Sequence, residues 1–406
     1  MRNNNAAQDS DFDTTKIMET LNSGNLTSML CSGLSQLLAT MMQKEREFHL
    51  SDNPDQRANG YAPPRTLHMG TTPIAVEVPR TRGDFYPAIL PKYQRNIPHE
   101  YERLLRSILL NAKSFSAAER TLQSMGLSVS EQQMKQLIQD LASEAQDFYA
   151  RPLASDYLFI YMDAKVICLR DEKGVLLQGI NFIVIGVNTE ARKEILLNKV
   201  LHKRESLDAW REVLLDLKNR GMSRVMCFIT DDFPGLTKLI KGFFPQADHQ
   251  LCTVHLLRNA FRHMSKEDYK AFAETFKSIC ASSSLAAATD SFLALCDQFQ
   301  DRYKSFFRHV TERSEHYLVF AKYPHMLWGY IRTTNCAESI NNQIEIIKRN
   351  AGGHFHTVQE ITIKTWIMSS ALNLSRWKKP IARYKAELQL LLTMRDQRYE
   401  SEGGAA

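Results

Sequence analysis

The sequence predicts a mixed α/β domain that carries an all-helical insertion and follows smaller helical and β-rich units. Three observations predict it. Residues 157–201 hold three successive apolar runs of strand length, separated by short turns. Residues 206–254 then alternate helical and strand patterns, the arrangement that builds parallel strands covered by helices. From residue 256 to about 328 the periodicity is helical throughout, far more than a connection between neighbouring elements needs.

The first of the smaller units, residues 1–50, begins polar and continues as two helices, 16–21 and 26–48, with Leu30, Leu34, Leu37, Leu38 and Met41 as an apolar stripe. So short a unit cannot bury its stripe alone and should pack on the rest of the chain or on a second copy. Residues 51–98 turn to Pro, Gly, Arg and Thr, with a strand-like run at 74–78 leading into Arg80 and Arg82, which predicts a basic, β-rich arm. Residues 99–150 return to helical periodicity. Within them a helix, a tight turn at Gly126 and a second helix opened by Ser128 or Ser130 fit a helix-turn-helix. Its second helix would present Ser130, Gln132, Gln133 and Lys135 outward, as major-groove reading requires. An ordinary helical hairpin has the same spacing.

The mixed domain takes residues 151–255, the insertion 256–328, and the rest of the domain, with basic C-terminal helices, 329–400. Strands at 157–166, 176–187 and 194–201 form a meander that turns at 171–174. Ser206 caps a helix that aligns Leu207, Trp210, Val213, Leu214 and Leu217 and ends at Gly221. A strand at 225–230, a helix at 235–244 and a strand at 249–254 follow. The order β-β-β-α-β-α-β, completed by a later helix, is that of the RNase H-like fold. In the insertion the apolar positions are Phe272, Phe276, Phe292, Leu295, Phe299, Tyr303, Phe306 and Phe307. The small, polar tail 401–406 is expected to be disordered.

The 406 residues exceed one ordinary core, and 44% hydrophobic with 24% charged residues is the composition of a folded soluble protein. There is no run of about 18 apolar residues and no signal-peptide arrangement, so no membrane association is expected and the cytoplasm is the default compartment. Seven scattered cysteines without a Cys-x-x-Cys pair argue for reduced thiols rather than a disulfide or zinc framework. A net charge of +6 tilts toward a polyanionic partner. Residues 332–385 concentrate it: Lys348, Arg349, Lys364, Arg376, Lys378, Lys379 and Arg383 interleave with Trp366 and Trp377, as on a phosphate-tracking surface. A solvated helix face has the same composition.

Asp163 lies inside an apolar strand, where a carboxylate is costly unless paired or metal-bound; Lys165, two residues on and on the same face, could pair with it. Asp231 ends the fourth strand, where ligands of open α/β sheets gather, whereas Asp232 is placed to cap the next helix. Glu338 opens a helix whose Ala337, Ile340, Ile344 and Ile347 would face the core. Asn335 followed by Glu338 also fits a capping box. Three acids at one sheet end repel one another unless a cation neutralises them, and Mg²⁺ takes such oxygen ligands. Two ions about 4 Å apart would activate an attacking oxygen and stabilise a leaving one, which is phosphodiester chemistry. No Gly-x-Ser-x-Gly elbow, Walker loop or His-Glu-x-x-His site competes.

The residues Met162-Asp163-Ala164, Ile185-Gly186-Val187-Asn188, Thr230-Asp231-Asp232 with Gly235-Leu236, Cys252-Thr253-Val254-His255 with Arg258-Asn259, and Thr333-Thr334-Asn335 with Ala337-Glu338-Ser339 appear in that order. With Asn59-Gly60-Tyr61, Val78-Pro79-Arg80 and Pro91-Lys92-Tyr93-Gln94-Arg95 upstream, the chain resembles the bacterial insertion-sequence transposases related to the eukaryotic Mutator elements, which carry a DDE catalytic domain. The resemblance runs from about Arg57 to Trp377. It implies that Asp163, Asp231 and Glu338 are the catalytic, metal-holding triad, with Mg²⁺ or Mn²⁺ as a substitute, two ions per site. It implies that Cys252 and His255 form the family's Cys-x-x-His pair, read here as support of the active site rather than a zinc site. It also aligns Trp210 with a tryptophan of the family's first helix. Two departures stand out: Lys165-Val166-Ile167-Cys168 after the first Asp, and Asp231-Asp232-Phe233-Pro234 without the usual His.

The function expected is therefore a DNA transposase that binds terminal inverted repeats, cuts and joins strands, acts as a homodimer and associates with the nucleoid. Expected DNA contacts are Arg80, Arg82, Gln132, Gln133, Lys135, Arg258, Asn342, Lys348 and Arg349. A nuclease without strand transfer and a domesticated DNA-binding regulator are the alternatives.

Overall fold

The computed structural model describes residues 26–69, 72–90, 98–125, 131–170, 174–201, 204–282, 284–374 and 377–400. The expected helix at 16–21, the turn at Gly126 with Ser128 and Ser130, most of the turn at 171–174, and the tail 401–406 lie outside them. The chain divides into one unit of residues 1–108 with 120–129 and a second of 109–119 with 130–406.

The first unit is built on helix α1 (Leu26–Asp52) and four short strands, β1 (Ala58–Tyr61), β2 (Arg65–Met69), β3 (Thr72–Val76) and β4 (Pro79–Thr81). β1 pairs with β4 and β2 with β3, both antiparallel. Met42, Leu67, Ile74, Val76, Val78 and Leu90 form a small core against which Leu34 and Leu38 pack. The stripe expected on α1 is rotated: Leu37 and Met41 are 56% and 42% exposed, and Met42 takes the buried place. One residue is a turn of about 100° on a helix, enough to move a side chain off the core face. Glu45 fastens the arm by accepting the backbone N–H groups of Ala88 and Ile89 at 2.7 and 3.1 Å. Helices α2 (Pro98–Asn111) and α3 (Phe115–Ser124) run across the division between the units.

From residue 130 onward the second unit holds α4 (Glu131–Ala150) and a five-stranded mixed sheet of order β7-β6-β5-β8-β9. The strands β5 (Asp156–Arg170), β6 (Leu176–Asn188) and β7 (Lys193–Leu201) form the antiparallel meander. The strands β8 (Arg224–Thr230) and β9 (Asp248–Leu251) run parallel to β5. Two separate cores cover the two faces. On one, α5 (Leu207–Asn219) and α6 (Leu236–Phe243) bury Trp210, Val213, Leu214 and Ile240 against Ile160, Met162, Phe182 and Phe228. Ser206 caps α5 as expected, its hydroxyl accepting the Ala209 N–H. The other face carries the helical insertion and the C-terminal helices.

The last strand is shorter than its sequence pattern suggests. It stops at Leu251, and Cys252 becomes the N-cap of α7 (Thr253–His263). The cause is tertiary: the Thr253 N–H and hydroxyl both bond the carbonyl of Arg332, at 2.9 and 3.0 Å. The insertion continues as α8 (Lys266–Ile279), α9 (Leu285–Gln300), α10 (Lys304–Glu312) and the short α11 (Ser314–Tyr317), closed on Phe272, Phe276, Phe292, Phe299 and Phe307, all buried. After α12 (Trp328–Ile331) come α13 (Asn335–Asn350), α14 (Val358–Leu374), α15 (Ala382–Ala386) and α16 (Leu388–Glu400).

Of the residues expected on a phosphate-tracking surface, Arg349, Lys378, Lys379 and Arg383 are exposed, whereas the expectation for Lys364 and Trp366 is corrected. Lys364 is fully buried, bonded to Glu360 at 2.9 Å and to the carbonyl of Ala112 at 2.6 Å, and Trp366 packs on Phe148 of α4. The Arg376 side chain lies outside the described residues. Among them, no helix is long and apolar enough to cross a membrane.

Candidate active site

Asp163 stands in the middle of β5 and is 8% exposed. The parallel register pairs Tyr161 of β5 with Ile229 of β8. Asp163 stands two residues beyond that pair on β5, and Asp231 two residues beyond it on the neighbouring chain segment, paired strands lying about 4.8 Å apart. Asp231 is the first residue past the end of β8, as the sequence pattern requires.

The third carboxylate arrives on a helix pinned to the same place. Cys252 accepts the N–H and the hydroxyl of Thr334 at 3.4 and 3.3 Å, which with the Thr253 bonds to Arg332 fixes the start of α13 beside α7. Thr334 is the N-cap of α13 and makes no side-chain cap, so the capping box expected from Asn335 and Glu338 does not form. Ala337, Ile340, Ile344 and Ile347 are buried as expected. One turn after Glu338, the amide of Asn341 donates to Asp163 Oδ2 at 2.7 Å. The other amide atom, Oδ1, is buried without a partner.

Glu338 is held by Arg258 of α7 through two parallel bonds of 2.8 and 3.0 Å, and His255 Nε2 lies 3.5 Å from the same carboxylate. Lys165, the alternative partner of Asp163, instead meets Glu345 at 3.4 Å. Asp232 does not cap α6, whose N-cap is Gly235 in the left-handed region at φ 83°. It grips the insertion, bonding His309 and Tyr317 at 2.8 and 3.0 Å and Arg313 at 3.0 Å.

Charge at this end of the sheet is poorly compensated. Burial pushes the Asp163 carboxyl up to about 6, with the charges of Asp231 and Glu338 adding to it against the Asn341 bond and the pull of His255. Burial also raises Asp231, aided by Asp232 and opposed by His255. Burial works against a charged His255, yet Cys252, Asp231 and Asp163 together hold its imidazolium up to about 9. Burial would raise the Cys252 thiol, but His255 and Thr334 outweigh it and lower it. The shifts of Cys252 and His255 favour a thiolate beside an imidazolium next to the carboxylates.

A fourth acid, which no sequence motif singles out, belongs to the same environment. Glu205 precedes the N-cap of α5, and Trp210 Nε1 donates to its Oε1 at 2.9 Å. Burial first, then the charges of Asp231 and Asp163, push its carboxyl up to about 7. The available signal is an acid after the third strand, just ahead of a capping Ser.

Among the described residues, no three His, Cys, Asp or Glu side chains stand close enough to hold a metal ion. Asp163 accepts from Asn341 and Glu338 from Arg258. The donor set itself, desolvated carboxylates beside an unpaired amide oxygen, is the oxygen-rich kind that hard divalent cations take.

Of the expected DNA contacts, Arg80 and Arg82 are exposed in the first unit, and Gln132 and Lys135 are exposed on α4, with Lys135 paired to Glu131 at 2.6 Å. The Gln133 side chain lies outside the described residues. Asn342 and Arg349 are exposed on α13, Lys348 pairs with Glu345 at 2.6 Å, and Arg258 is occupied by Glu338.

A family model described as "Transposase, Mutator family" matches residues 4–365. The chain is 25% identical over 378 residues to the transposase for insertion sequence element IS1201 of Lactobacillus helveticus, covering 89% of this chain and 99% of that one. It is 27% identical over 329 residues to the transposase for ISRM5 of Rhizobium meliloti, covering 77% and 81%. With the transposase for IS256 in Tn4001 of Staphylococcus aureus it shares 24% over 338 residues, covering 79% and 83%. Among solved structures, a Drosophila P element transposase strand transfer complex matches at TM-score 0.28 and 11% identity over 72% of this chain and 85% of that one, too slight a likeness to carry an argument.

Proposed function

Since the chain belongs to the Mutator family of transposases and is a DNA-cleaving and strand-transferring enzyme, we propose that Asp163, Asp231 and Glu338 are its DDE triad, set on an RNase H-like sheet. The observation that carries this reading is that β5, bearing Asp163, pairs with β8, whose end Asp231 follows, while Asn341 of the helix that bears Glu338 bonds Asp163. The three carboxylates would hold Mg²⁺, or Mn²⁺ in its place, and a bound pair of such ions supplies activation of the attacking oxygen and charge stabilisation at the leaving one.

The protein's own groups supply the rest. Asn341 orients Asp163 by bonding one of its oxygens. Arg258 neutralises Glu338 through two parallel bonds. His255 offsets part of the negative charge left behind. Water and a 3′-hydroxyl are equivalent nucleophiles at such a centre, and positioning decides which reacts. The substrate DNA is the element's terminal inverted repeats and a target, engaged through Arg80, Arg82, the face of α4 bearing Gln132, and Asn342 and Arg349 of α13. The working form is a homodimer in the cytoplasm, at the nucleoid.

The test uses labelled candidate ends with and without Mg²⁺. Metal-dependent nicking by the wild type, lost in Asp163→Asn and Asp231→Asn proteins that still bind the ends, is expected. Nicking retained in either variant would remove that residue from the triad.

A further inference from the structure

We propose that a cleft between the helical insertion and the C-terminal helices binds one backbone phosphate of a DNA strand, through Arg332 and Arg383. The inference deepens the reading of the chain as an enzyme that cuts and joins DNA, and rests on it. The cleft holds about 290 Å³, near the lower end for ligand pockets, and its walls include Cys280, His325, Trp328, Gly329, Arg332 and Arg383. Among the described residues no acid lines it, and Asp163, Asp231 and Glu338 are not part of it.

The catalytic sheet places both arginines. Tyr161 precedes Asp163 by two residues on β5 and so lies on the same face. Its hydroxyl donates to the carbonyl of Tyr330 at 3.1 Å and meets the hydroxyl of Tyr384 at 2.5 Å. Tyr330 belongs to α12, two residues before Arg332, and Tyr384 follows Arg383 directly on α15. The Arg332 carbonyl is also held by the N–H and hydroxyl of Thr253. The Arg383 guanidinium lies over the Tyr330 ring, 5.5 Å from its centroid, a contact that orients its planar fork. One strand of the sheet thereby brings two cations to one cleft.

Those cations lack a counter-charge. Arg258, Arg302, Arg313 and Arg398 each meet an acid, whereas among the described residues Arg332 and Arg383 form no ion pair. Beside Arg332, burial pushes the Cys280 thiol up against the pull of that arginine, so the thiol brings no negative charge. A phosphodiester supplies the anion, with oxygens that guanidinium forks bond in pairs. The wall offers no stacking platform for a base. Trp328 is buried, its N–H donates to the Tyr323 carbonyl at 2.8 Å, and Phe320 and His325 stand against its ring with centroids at 5.2 and 4.6 Å. The contact is therefore to the backbone and carries no sequence preference.

Gly329 allows a test that keeps both arginines: a Cβ added there meets nothing within 4 Å, so Gly329→Glu brings a carboxylate to the cleft wall without a clash. The full-length protein is titrated with fluorescein-labelled end duplex and with random duplex of the same length, in EDTA and over a range of salt. Arg332→Gln with Arg383→Gln should weaken both duplexes alike, by about 10–100-fold, and reduce the slope of log affinity against log salt by about 1. Gly329→Glu should act in the same direction, and Arg332→Lys with Arg383→Lys should recover most of the slope. Wild-type affinity and slope in the folded Gln double variant and in Gly329→Glu would overturn the cleft and leave the enzyme's DNA reading standing. Inorganic phosphate that raises the Tm of the wild type and not of the Gln double variant, with DNA affinity unchanged, would make the cleft a free-anion site and overturn the DNA assignment. A wild type that binds neither duplex would contradict the reading on which the cleft rests.

Discussion

Asp163 is a charged group in surroundings that favour its neutral form, and this has a thermodynamic sign. Its pKa rises from 3.8 to about 6 on folding, so the folded state binds the proton more tightly than the unfolded state. For this group, metal-free stability is fullest below the unfolded value and is lost as pH climbs through the folded one. At pH 7 that loss is complete. Asp163→Asn should therefore stabilise the metal-free protein by about 1–3 kcal/mol, seen as a higher Tm, while abolishing the rise in Tm that Mn²⁺ gives the wild type. A lower Tm in metal-free Asp163→Asn would mean that the carboxylate is structural. The adjacent acids at the end of β8 should separate just as clearly. Asp231→Asn should lose catalysis without any fall in Tm, since burial raises its carboxyl too. Asp232→Asn weakens the bonds to His309, Arg313 and Tyr317 and should cost about 1–3 kcal/mol of stability, measured by urea unfolding. Loss of cleavage in Asp232→Asn alone would reverse the assignment.

At the scale of elements, the helices that frame the site depend on a few buried polar contacts. Lys364 and Glu360, four residues apart on α14, are both buried, and Glu360 also accepts the His356 N–H at 2.8 Å. Lys364→Ala leaves an unpaired buried carboxylate and should cost about 3–5 kcal/mol, whereas Lys364→Met with Glu360→Gln should cost much less. Equal denaturation midpoints for the single and double variants would contradict this. The same pair illustrates what sequence pattern can and cannot reveal. Its spacing is visible in the sequence, but its burial is not, because that depends on α14 being covered on the side where Lys364 reaches the Ala112 carbonyl. Strands β5 to β8 are legible because their apolar runs are long and their turns polar. The end of β9 is not, because a bond to Arg332, far along the chain, converts an apolar run into a helix start. Asp163 can be singled out as an acid in a costly position and Asp231 as one at a strand end, while Glu338 stands out through the helix it opens and the family resemblance. Glu205 cannot, since an acid before a helix cap looks like an ordinary surface residue until the sheet edge is assembled. Arg258 likewise reads as a DNA contact until its partner Glu338 arrives on another helix.

For the molecule as a whole, cutting and joining must draw on DNA held by positive charge as well as on the carboxylates. Arg80→Ala with Arg82→Ala should weaken end binding and reduce the slope of log affinity against log salt by about 1 for each phosphate that is no longer neutralised. An unchanged slope would place the phosphate-binding groups elsewhere. The catalytic centre is tested most directly by supplying a precleaved end with a free 3′-hydroxyl, a target duplex and Mn²⁺, and measuring joined product for the wild type and Glu338→Gln. The wild type should join the end to the target. Glu338→Gln, which removes one ligand charge and little volume, should bind the end equally well and yield no joined product. Joining at the wild-type rate by Glu338→Gln, or hydrolysis without any joining by the wild type, would contradict a strand-transfer centre built on Asp163, Asp231 and Glu338.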